Sequence, residues 1–256
     1  MLAIKDVYKF YPSPSGGRLI VEDVSFDVPK GEFLALVGPS GCGKSTILSM
    51  IAGLTSPSRG SISQDGKPIA GVNHAVGYMT QNDTLLPWRS VESNVRLPLE
   101  LRRAPREEQA RVAQQYIDMV GLNGFERYFP AQLSGGMRKR TLLARTLAYG
   151  PETLLMDEPF GAVDAQLKLQ LHAELLSIWS ATSKTIIFVT HDIEEAISLA
   201  DRVILFSQRP ARIRLIRPID IARPRDVRRV RTSPAFNAAY EELWDVLTHE
   251  GQNPIL

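Results

Sequence analysis

The chain has 256 residues, of which 44% are hydrophobic and 23% charged, and its formal net charge at pH 7 is +2. A chain of this length can bury one substantial core, so we expect one domain with an inserted subdomain. The small net charge gives no argument for nucleic-acid binding, and the single cysteine excludes a disulfide framework within the chain. The first residues lack an apolar signal core, and no stretch reaches the roughly 18 to 20 apolar residues that span a bilayer. We therefore expect a cytosolic protein that reaches a membrane only by docking.

Residues 1–30 alternate between apolar and polar side chains, which is the period of half-buried antiparallel strands. One strand carries the apolar set Val24, Phe26 and Val28. A turn-rich loop over 12–17 separates two such strands, and Tyr11 ends the first of them. An adenine needs a flat apolar face, which Tyr11 offers, although a core aromatic side chain explains this position equally well. A hairpin is predicted over 60–66 in the same antiparallel layer.

The next stretch fits the phosphate-loop pattern G-x-x-x-x-G-K-[ST], between a buried strand over 33–37 and a helix over 46–52. The predicted ATP-binding residues are Gly38, Pro39, Ser40, Gly41, Cys42, Gly43, Lys44, Ser45 and Thr46. Glycines let the backbone curl, so that successive N–H groups point at a phosphate at the helix N-terminus. We expect Lys44 to lie along the β- and γ-phosphates, Ser45 to ligate Mg²⁺ and Thr46 to hold the α-phosphate side. The alternative is a glycine-rich turn before an ordinary helix. Cys42 is interpreted as a small filler.

From about 89 to 150 the pattern becomes helical, and one helix is predicted over 104–120. Strand character returns at 153–156 and at 185–189, and each strand is followed by a helix. Buried strands that alternate with helices form a parallel sheet. The sequence therefore predicts an α/β core that is interrupted by an inserted helical subdomain.

Side chains suited to ATP hydrolysis end three of the predicted strands. Ligands of parallel sheets bind at the carboxyl ends of the strands, where the phosphate loop also emerges. Asp157 is therefore predicted to hold Mg²⁺ through water, and Glu158 to activate the attacking water. His191 is placed to sense the γ-phosphate, and the Gln81 amide to bridge the metal and the water. The plainer alternatives are carboxylates that solvate a strand end and a structural histidine.

A second Ser-Gly-Gly sequence, within Leu133–Met137, stands at the start of another predicted helix. Bare N–H groups and a hydroxyl at such a position form an anion site. The stretch lies in the helical insert, far from the phosphate loop in sequence. Two incomplete phosphate sites in one chain suggest a head-to-tail dimer, in which Ser134 and Gly136 of one copy close the ATP of the other. An ordinary helix cap is the alternative.

In order and spacing, these motifs resemble the ATP-binding subunit of ABC transporters over most of the chain. The matching set is Gly38–Thr46, Gln81, Leu133–Met137, Asp157, Glu158, Gly161–Asp164 and His191. The resemblance implies that Tyr11 stacks on adenine, that Gln81 is the lid glutamine and that His191 is the switch histidine. Asp164 is implied to belong to a loop that communicates across the dimer. The residues implied to contact the ATP of the partner are Ser134, Gly135, Gly136, Met137 and Asp164.

Finer details are similar to the nitrate, sulfonate and taurine importer branch of that family. The stretches that carry this similarity are 81–88, the signature followed by Arg138, 209–213 and 223–225. The chain departs from the branch at Lys139, Thr141 and Val163, where glutamine, an aliphatic residue and leucine are usual. None of these is a phosphate-binding position, so the departures concern the packing of the signature helix.

The resemblance implies a P-loop NTPase (RecA-like) core with an N-terminal antiparallel β subdomain and an inserted α-helical subdomain. The implied divisions are 1–88, the β layer and phosphate-loop part of the core; 89–150, the helical subdomain with the signature; 151–208, the rest of the core; and 209–256, a C-terminal extension. It implies an ATPase subunit that uses ATP and Mg²⁺ to drive import of a small anionic solute. The implied partners are a second copy, transmembrane permease subunits and, indirectly, an extracytoplasmic solute-binding protein, with no nucleic acid. The implied location is peripheral, at the cytoplasmic face of the inner membrane.

The alternative from another class is a soluble ABC ATPase that acts on nucleic acid or ribosomes. Such proteins usually carry two ATPase halves or a long coiled coil, and this sequence shows neither. An arginine-rich stretch over 209–231 is interpreted as a solvated basic tail rather than a nucleic-acid or anionic-lipid surface, because no aromatic residues are interleaved with it. The apolar run Leu85–Trp88 has two interpretations, an exposed docking patch for a membrane subunit or part of the helical core.

Overall fold

The computed structural model describes residues 1–12, 17–161 and 163–249, so residues 13–16 of the predicted loop and Ala162 lie outside the described residues. The strands are β1 (Leu2–Tyr11), β2 (Arg18–Val28), β3 (Phe33–Val37), β4 (Arg59–Gln64), β5 (Lys67–Pro68), β6 (Val76–Met79), β7 (Thr153–Asp157), β8 (Thr185–Thr190), β9 (Arg202–Phe206) and β10 (Ile213–Pro218). The helices are α1 (Lys44–Ile51), α2 (Val91–Leu101), α3 (Arg106–Met119), α4 (Gly135–Ala148), α5 (Ala165–Thr182), α6 (Ile193–Leu199) and α7 (Pro234–His249). Among the described residues, none of the helices combines the length and hydropathy that a bilayer-spanning helix requires.

An antiparallel sheet belongs to a compact unit made of the described residues of Met1–His74 and Ser183–Leu256. Its strand order is β2-β1-β4-β5. Along β2 the apolar side chains from Val24 to Val28 are buried and the polar ones between them are exposed. In β1, Ile4 lies opposite Phe26 on one side and Ile62 on the other. The predicted antiparallel layer and its hairpin over 60–66 are confirmed.

The same unit contains the parallel strands β8, β3 and β9, with β10 antiparallel beside β9. Every residue of β3 and β8 is buried, as expected for parallel strands that are covered on both faces. Val37 is in register with Thr190. The residues that follow these two strands, the phosphate loop and His191, therefore emerge from neighbouring strand ends.

Ala75–Thr182 form a second compact unit, of which all but Ala162 is described. It contains the parallel pair β6 and β7 and the helices α2 to α5. Helices α2, α3 and α4 pack against one another, which confirms the helical insert. The compact unit extends beyond the predicted insert at both ends, because β6 pairs with β7 and α5 contacts α4. The division of the chain into four segments stays a prediction.

The arginine-rich stretch is not a solvated tail, which corrects the interpretation made from the sequence. Its ion pairs, each with an N to O distance of 2.7 Å, are Arg212–Glu22, Arg217–Glu242, Arg223–Asp201 and Arg231–Glu194. Arg225 donates to the carbonyl oxygens of Ile197 and Ala200 at the end of α6, where a cation also suits the helix dipole. Burial is the main cause that lowers the pKa of Arg225 to about 10. Most of these charges therefore attach the C-terminal part of the chain to its own unit.

Candidate active site

The phosphate loop lies between β3 and α1. Helix α1 begins at Lys44, two residues earlier than the sequence predicts. Gly43 precedes it with a φ of +135°, and a Cβ at this position would stand 2.9 Å from the Ile20 carbonyl oxygen. Conformation and space therefore both require glycine here. No described side chain caps α1, so its first turn offers N–H groups that lack an intrahelical acceptor, an arrangement that fits a phosphate.

The Lys44 ammonium lies within the loop rather than in solvent. Its Nζ is buried and donates to the carbonyl oxygens of Gly38 at 2.7 Å and Pro39 at 2.8 Å. The Cys42 sulfur is also buried, 3.8 Å from the same Nζ, which agrees with its interpretation as a small filler. Ser45 is exposed in the first turn of α1, and its hydroxyl oxygen is a ligand type that suits Mg²⁺.

Two further predicted site residues lie in the same unit as the phosphate loop. His191 is exposed directly after β8 and is followed by Asp192, whose side chain caps α6 by accepting from the Glu195 N–H at 3.2 Å. Tyr11 ends β1 with 39% of its surface exposed, and the Lys9 ammonium lies 4.9 Å from its ring centroid. The Tyr11 ring is therefore not a core aromatic, which leaves it accessible for stacking.

Gln81, Asp157 and Glu158 lie in the second unit, at the carboxyl end of the β6–β7 pair. Met79 is in register with Met156, which brings the three side chains to one edge of the pair. The Gln81 Nε2 lies 3.5 Å from the Glu158 Oε2, and the Tyr78 hydroxyl lies 3.5 Å from the Asp157 Oδ2. Glu158 has a φ of +44°, a left-handed conformation that is uncommon outside glycine and clusters at functional sites.

Ser134 caps α4, because its Oγ accepts a hydrogen bond from the Met137 N–H at 3.3 Å. This geometry is that of an ordinary helix cap, and the hydroxyl proton can still donate to an anion. Gly135 is exposed, whereas Gly136 is buried. A Cβ on Gly136 would stand 2.8 Å from the Leu167 Cδ2. A side chain at position 136 would therefore have to displace the end of the Leu167 side chain of α5, a consequence of packing that the motif alone does not contain.

Three cationic side chains of α4 hold the segment that follows β6. The contacts are Lys139 Nζ to the Gln81 carbonyl oxygen at 3.1 Å, Arg138 Nε to Asp83 Oδ2 at 3.3 Å, and Arg145 to the Thr84 carbonyl oxygen at 2.8 Å. Burial is the main cause that lowers the pKa of Lys139 and of Arg145. Lys139 thereby connects α4 to the backbone of Gln81. Sequence reasoning missed this contact, and its only signal was the unexpected charge at position 139.

Thr141 and Asp164 both bond to the backbone of the helix that they belong to or precede. The Thr141 hydroxyl donates to the Met137 carbonyl oxygen at 2.8 Å, so this departure from the branch is satisfied within α4. The Asp164 Oδ1 accepts from the Leu167 N–H at 2.9 Å, which is the pattern of an N-cap at the start of α5. Nothing in the structure explains valine at position 163.

The apolar run after Gln81 divides between core and surface. Leu85 is 8% exposed, whereas Trp88 is 71% exposed. Trp88 is exposed, so the interpretation that it packs within the helical core is wrong. Leu85 is buried, so the interpretation that it belongs to an exposed patch is wrong.

Residues 21–161 match the family described as ABC transporter. The chain is 44% identical over 249 residues to an uncharacterised ABC transporter ATP-binding protein of Methanocaldococcus jannaschii, an alignment that covers 97% of this chain and 92% of the relative. It is 40% identical over 244 residues to the nitrate import ATP-binding protein NrtD of Synechococcus elongatus, with 94% and 89% covered. It is 40% identical over 245 residues to the taurine import ATP-binding protein TauB of Escherichia coli O157:H7, with 94% of each covered.

A solved structure shares this fold along its whole length. It is the dimeric post-hydrolysis state of the ATP-binding cassette MJ0796 bound to ADP and Pi, with a TM-score of 0.76 and 28% identity over 87% of this chain and 100% of that one. The predicted α/β class is confirmed by this likeness. Because the family match spans more than half of the chain and the relatives align along nearly all of it, the chain belongs to the ABC transporter family and is an ATPase.

Proposed function

We propose that the chain is the ATP-hydrolysing subunit of an importer for a small anionic solute of the nitrate, sulfonate or taurine type. The observation that carries the proposal is a pair of helix starts suited to anions, the uncapped α1 after the phosphate loop and α4 with Ser134 at its cap. The 40% identity to the nitrate and taurine import ATP-binding proteins supports the solute class. Cargo selectivity itself would reside in other polypeptides.

The residues take the roles that their motif positions suggest. Lys44 and the N–H groups at the start of α1 bind the phosphates, and Tyr11 stacks on the adenine. Glu158 polarises the attacking water, Gln81 orients that water and His191 contacts the γ-phosphate. The ligands available to Mg²⁺ are side-chain oxygens of Ser45, Gln81 and Asp157. When bound, Mg²⁺ neutralises charge that develops on the phosphate oxygens.

The proposed assembly is a head-to-tail dimer, in which the signature residues of one copy contact the ATP of the other. The dimeric state of the related cassette supports this arrangement. The exposed positions of Ser134 and Gly135 leave the start of α4 accessible to a second copy. Asp164, also exposed, is proposed to communicate between the two sites.

Ser134→Arg is expected to preserve nucleotide binding by the isolated subunit while turnover falls to background. The bulky side chain would fill the position of the partner's γ-phosphate, but each phosphate loop stays intact. Because the change also removes a helix cap worth about 1 kcal/mol, Ser134→Asp serves as a second variant that retains a capping side chain and opposes the phosphate by charge. ATPase assays and fluorescent-nucleotide titrations measure the two effects.

Mixing Ser134→Arg with Lys44→Ala subunits tests the shared site directly. A mixed dimer contains one pairing of an intact loop with an intact signature, whereas the other pairing has lost both. We expect the mixture to hydrolyse ATP faster than either parent does alone. If the mixture never exceeds its parents, the head-to-tail arrangement is wrong.

The proposed partners are transmembrane permease subunits and, indirectly, an extracytoplasmic solute-binding protein. The proposed location is peripheral, on the cytoplasmic face of the cell membrane. Trp88 is the candidate anchor for a permease, because it is a large aromatic residue that is 71% exposed in the helical unit. ABC ATPases that act on nucleic acid are less favoured, since the arginines of 209–231 are largely engaged in ion pairs within the chain.

Trp88→Ala should leave the free energy of unfolding within about 0.5 kcal/mol of wild type, because the removed side chain is mostly in solvent. Complex assembly with the permease should weaken by about 2 kcal/mol or more, the usual scale of an interface hot spot. Leu85→Ala is the matched control, since burial of this neighbour predicts a loss of about 2 to 5 kcal/mol of stability. Melting curves and co-purification from detergent extracts measure both quantities. Unchanged assembly and transport in the Trp88 variant would reject the docking role.

The overall function is tested by uptake in cells that lack this chain. Loss of labelled nitrate or taurine uptake, restored by the wild-type chain and not by Glu158→Gln, is the expected result. Uptake of both solutes at the wild-type rate in the deletion strain would exclude the proposed solute class, while ATPase activity of the purified subunit would remain to be measured separately.

A further inference from the structure

The end of β9 and the segment that follows it pack against the backbone of the phosphate loop. A Cβ on Gly38 would stand 3.0 Å from the Phe206 carbonyl oxygen and 3.2 Å from the Phe206 Cβ. A Cβ on Gly43 would stand 3.2 Å from the Ala211 Cβ. The loop backbone therefore lies in close contact with residues 206–211, and these two glycines permit that approach.

This segment is itself held in place by hydrogen bonds. The Ala211 N–H donates to the Ile20 carbonyl oxygen at 2.8 Å, and the Ala211 carbonyl oxygen accepts from the Glu22 N–H at 3.0 Å. The Ser207 hydroxyl accepts from the Arg212 N–H at 3.0 Å, and its proton is shared between the carbonyl oxygens of Gln208 at 2.7 Å and Pro210 at 2.8 Å. These hydrogen bonds fix the backbone on both sides of residues 208–210, so a side chain of this segment can reach the phosphate loop from a fixed position.

Arg209 projects from this segment onto the tip of the loop. Its Nε donates to the Gly41 carbonyl oxygen at 3.0 Å, and its Nη2 donates to the same oxygen. On the other side of that peptide unit, the Cys42 N–H donates to the Pro39 carbonyl oxygen at 3.3 Å. Because a trans peptide is planar with its C=O and N–H on opposite sides, a cation that fixes the carbonyl also fixes the direction of the N–H. The peptide between Gly41 and Cys42 is therefore held at both ends.

We propose that Arg209 is a positioning residue for ATP binding, which holds the tip of the phosphate loop in the curled form that receives the triphosphate. Hydrogen bonds from a charged donor are among the stronger ones, and here two of them converge on one carbonyl. A loop that is already curled loses less conformational freedom when the nucleotide binds. The guanidinium also adds a fixed positive charge beside an anion site. The inference rests on the proposal that this loop binds the ATP phosphates.

Arg212 provides a matched control within the same segment. It is also exposed, but its Nη2 pairs with Glu22 at 2.7 Å. Removing Arg212 subtracts the same charge from the segment, but the partner that its side chain loses is Glu22 of β2 and not the phosphate loop. Comparing the two variants therefore separates the effect of the positive charge on nucleotide affinity from the effect of the hydrogen bonds to the Gly41 carbonyl oxygen.

The experiment measures MgADP affinity by titration calorimetry and MgATP hydrolysis by steady-state kinetics, with melting temperatures recorded for each variant. Arg209→Ala is expected to raise both the Kd for MgADP and the KM for MgATP about tenfold, the scale of a lost charge-assisted hydrogen bond, with kcat within about twofold of wild type. Arg209→Lys keeps the positive charge but loses the paired N–H donors of the guanidinium. Its Kd and KM should therefore lie between those of the wild type and those of Arg209→Ala. Arg212→Ala should bind as the wild type does.

Three results would overturn the inference: unchanged Kd and KM in Arg209→Ala, an equal loss in Arg212→Ala, or full affinity in Arg209→Lys. If the first result comes with a lower melting temperature, Arg209 has a purely structural role. Lys44→Ala, measured alongside, separates this failure from that of the proposed function. If Lys44→Ala loses affinity and Arg209→Ala does not, the loop assignment stands and the role of Arg209 fails. If neither variant loses affinity, the loop assignment fails as well.

Discussion

Glu158→Gln is expected to bind ATP nearly as well as the wild type and to hydrolyse it at least about 100-fold more slowly, the scale of a lost general base. The amide is almost isosteric with the carboxylate, so the side chain can still occupy its place 3.5 Å from the Gln81 Nε2. What is lost is the negative charge that polarises the attacking water. Because the ATP-bound state then persists, the dimer should accumulate when Mg²⁺ and ATP are added. Phosphate release and size-exclusion chromatography measure the two effects.

Glu107→Gln is the control for this prediction. Glu107 is exposed in the first turn of α3, away from every motif residue in sequence, so its variant should retain the full rate. A Glu158→Gln subunit that turns over ATP at the wild-type rate would remove Glu158 from its proposed role. A subunit that no longer binds nucleotide would point to a structural function of the carboxylate instead.

Lys44→Ala is expected to raise the Kd for ATP at least about tenfold, because it removes charge-assisted hydrogen bonds to the phosphates. The same ammonium also donates to the carbonyl oxygens of Gly38 and Pro39. Its loss therefore loosens the loop in addition to removing a phosphate ligand, and both effects lower affinity. Titration with a fluorescent ATP analogue measures the result.

Lys30→Ala is the matched control for the lysine prediction. Lys30 lies in the same compact unit but forms a surface ion pair with Asp65 at 2.9 Å, and exposed pairs contribute little. Its variant should keep wild-type ATP affinity. Unchanged affinity in Lys44→Ala would contradict the assignment of residues 38–46 as the phosphate loop.

The sequence by itself determined the class of the fold and the order of its motifs. The strand over 33–37 was predicted with the bounds that the structure has, and α3 begins and ends within two residues of its predicted limits. These signals are local, because apolar periodicity and turn residues report on a few consecutive positions. The motif at 38–46 was equally readable, since its glycines, lysine and hydroxyls must stand at fixed spacings along one loop.

Only the tertiary structure decided what each motif residue touches. Gly136 reads as a binding residue from its motif, yet its missing Cβ also makes room for Leu167. Trp88 and Leu85 stand in one apolar run, but one is exposed and the other is buried. The arginine at 209 looked like part of a basic tail, whereas it donates to the Gly41 carbonyl oxygen. The Arg209–Gly41 and Arg212–Glu22 contacts join residues 168 and 190 positions apart, and neither periodicity nor motif spacing contains information about partners at such distances.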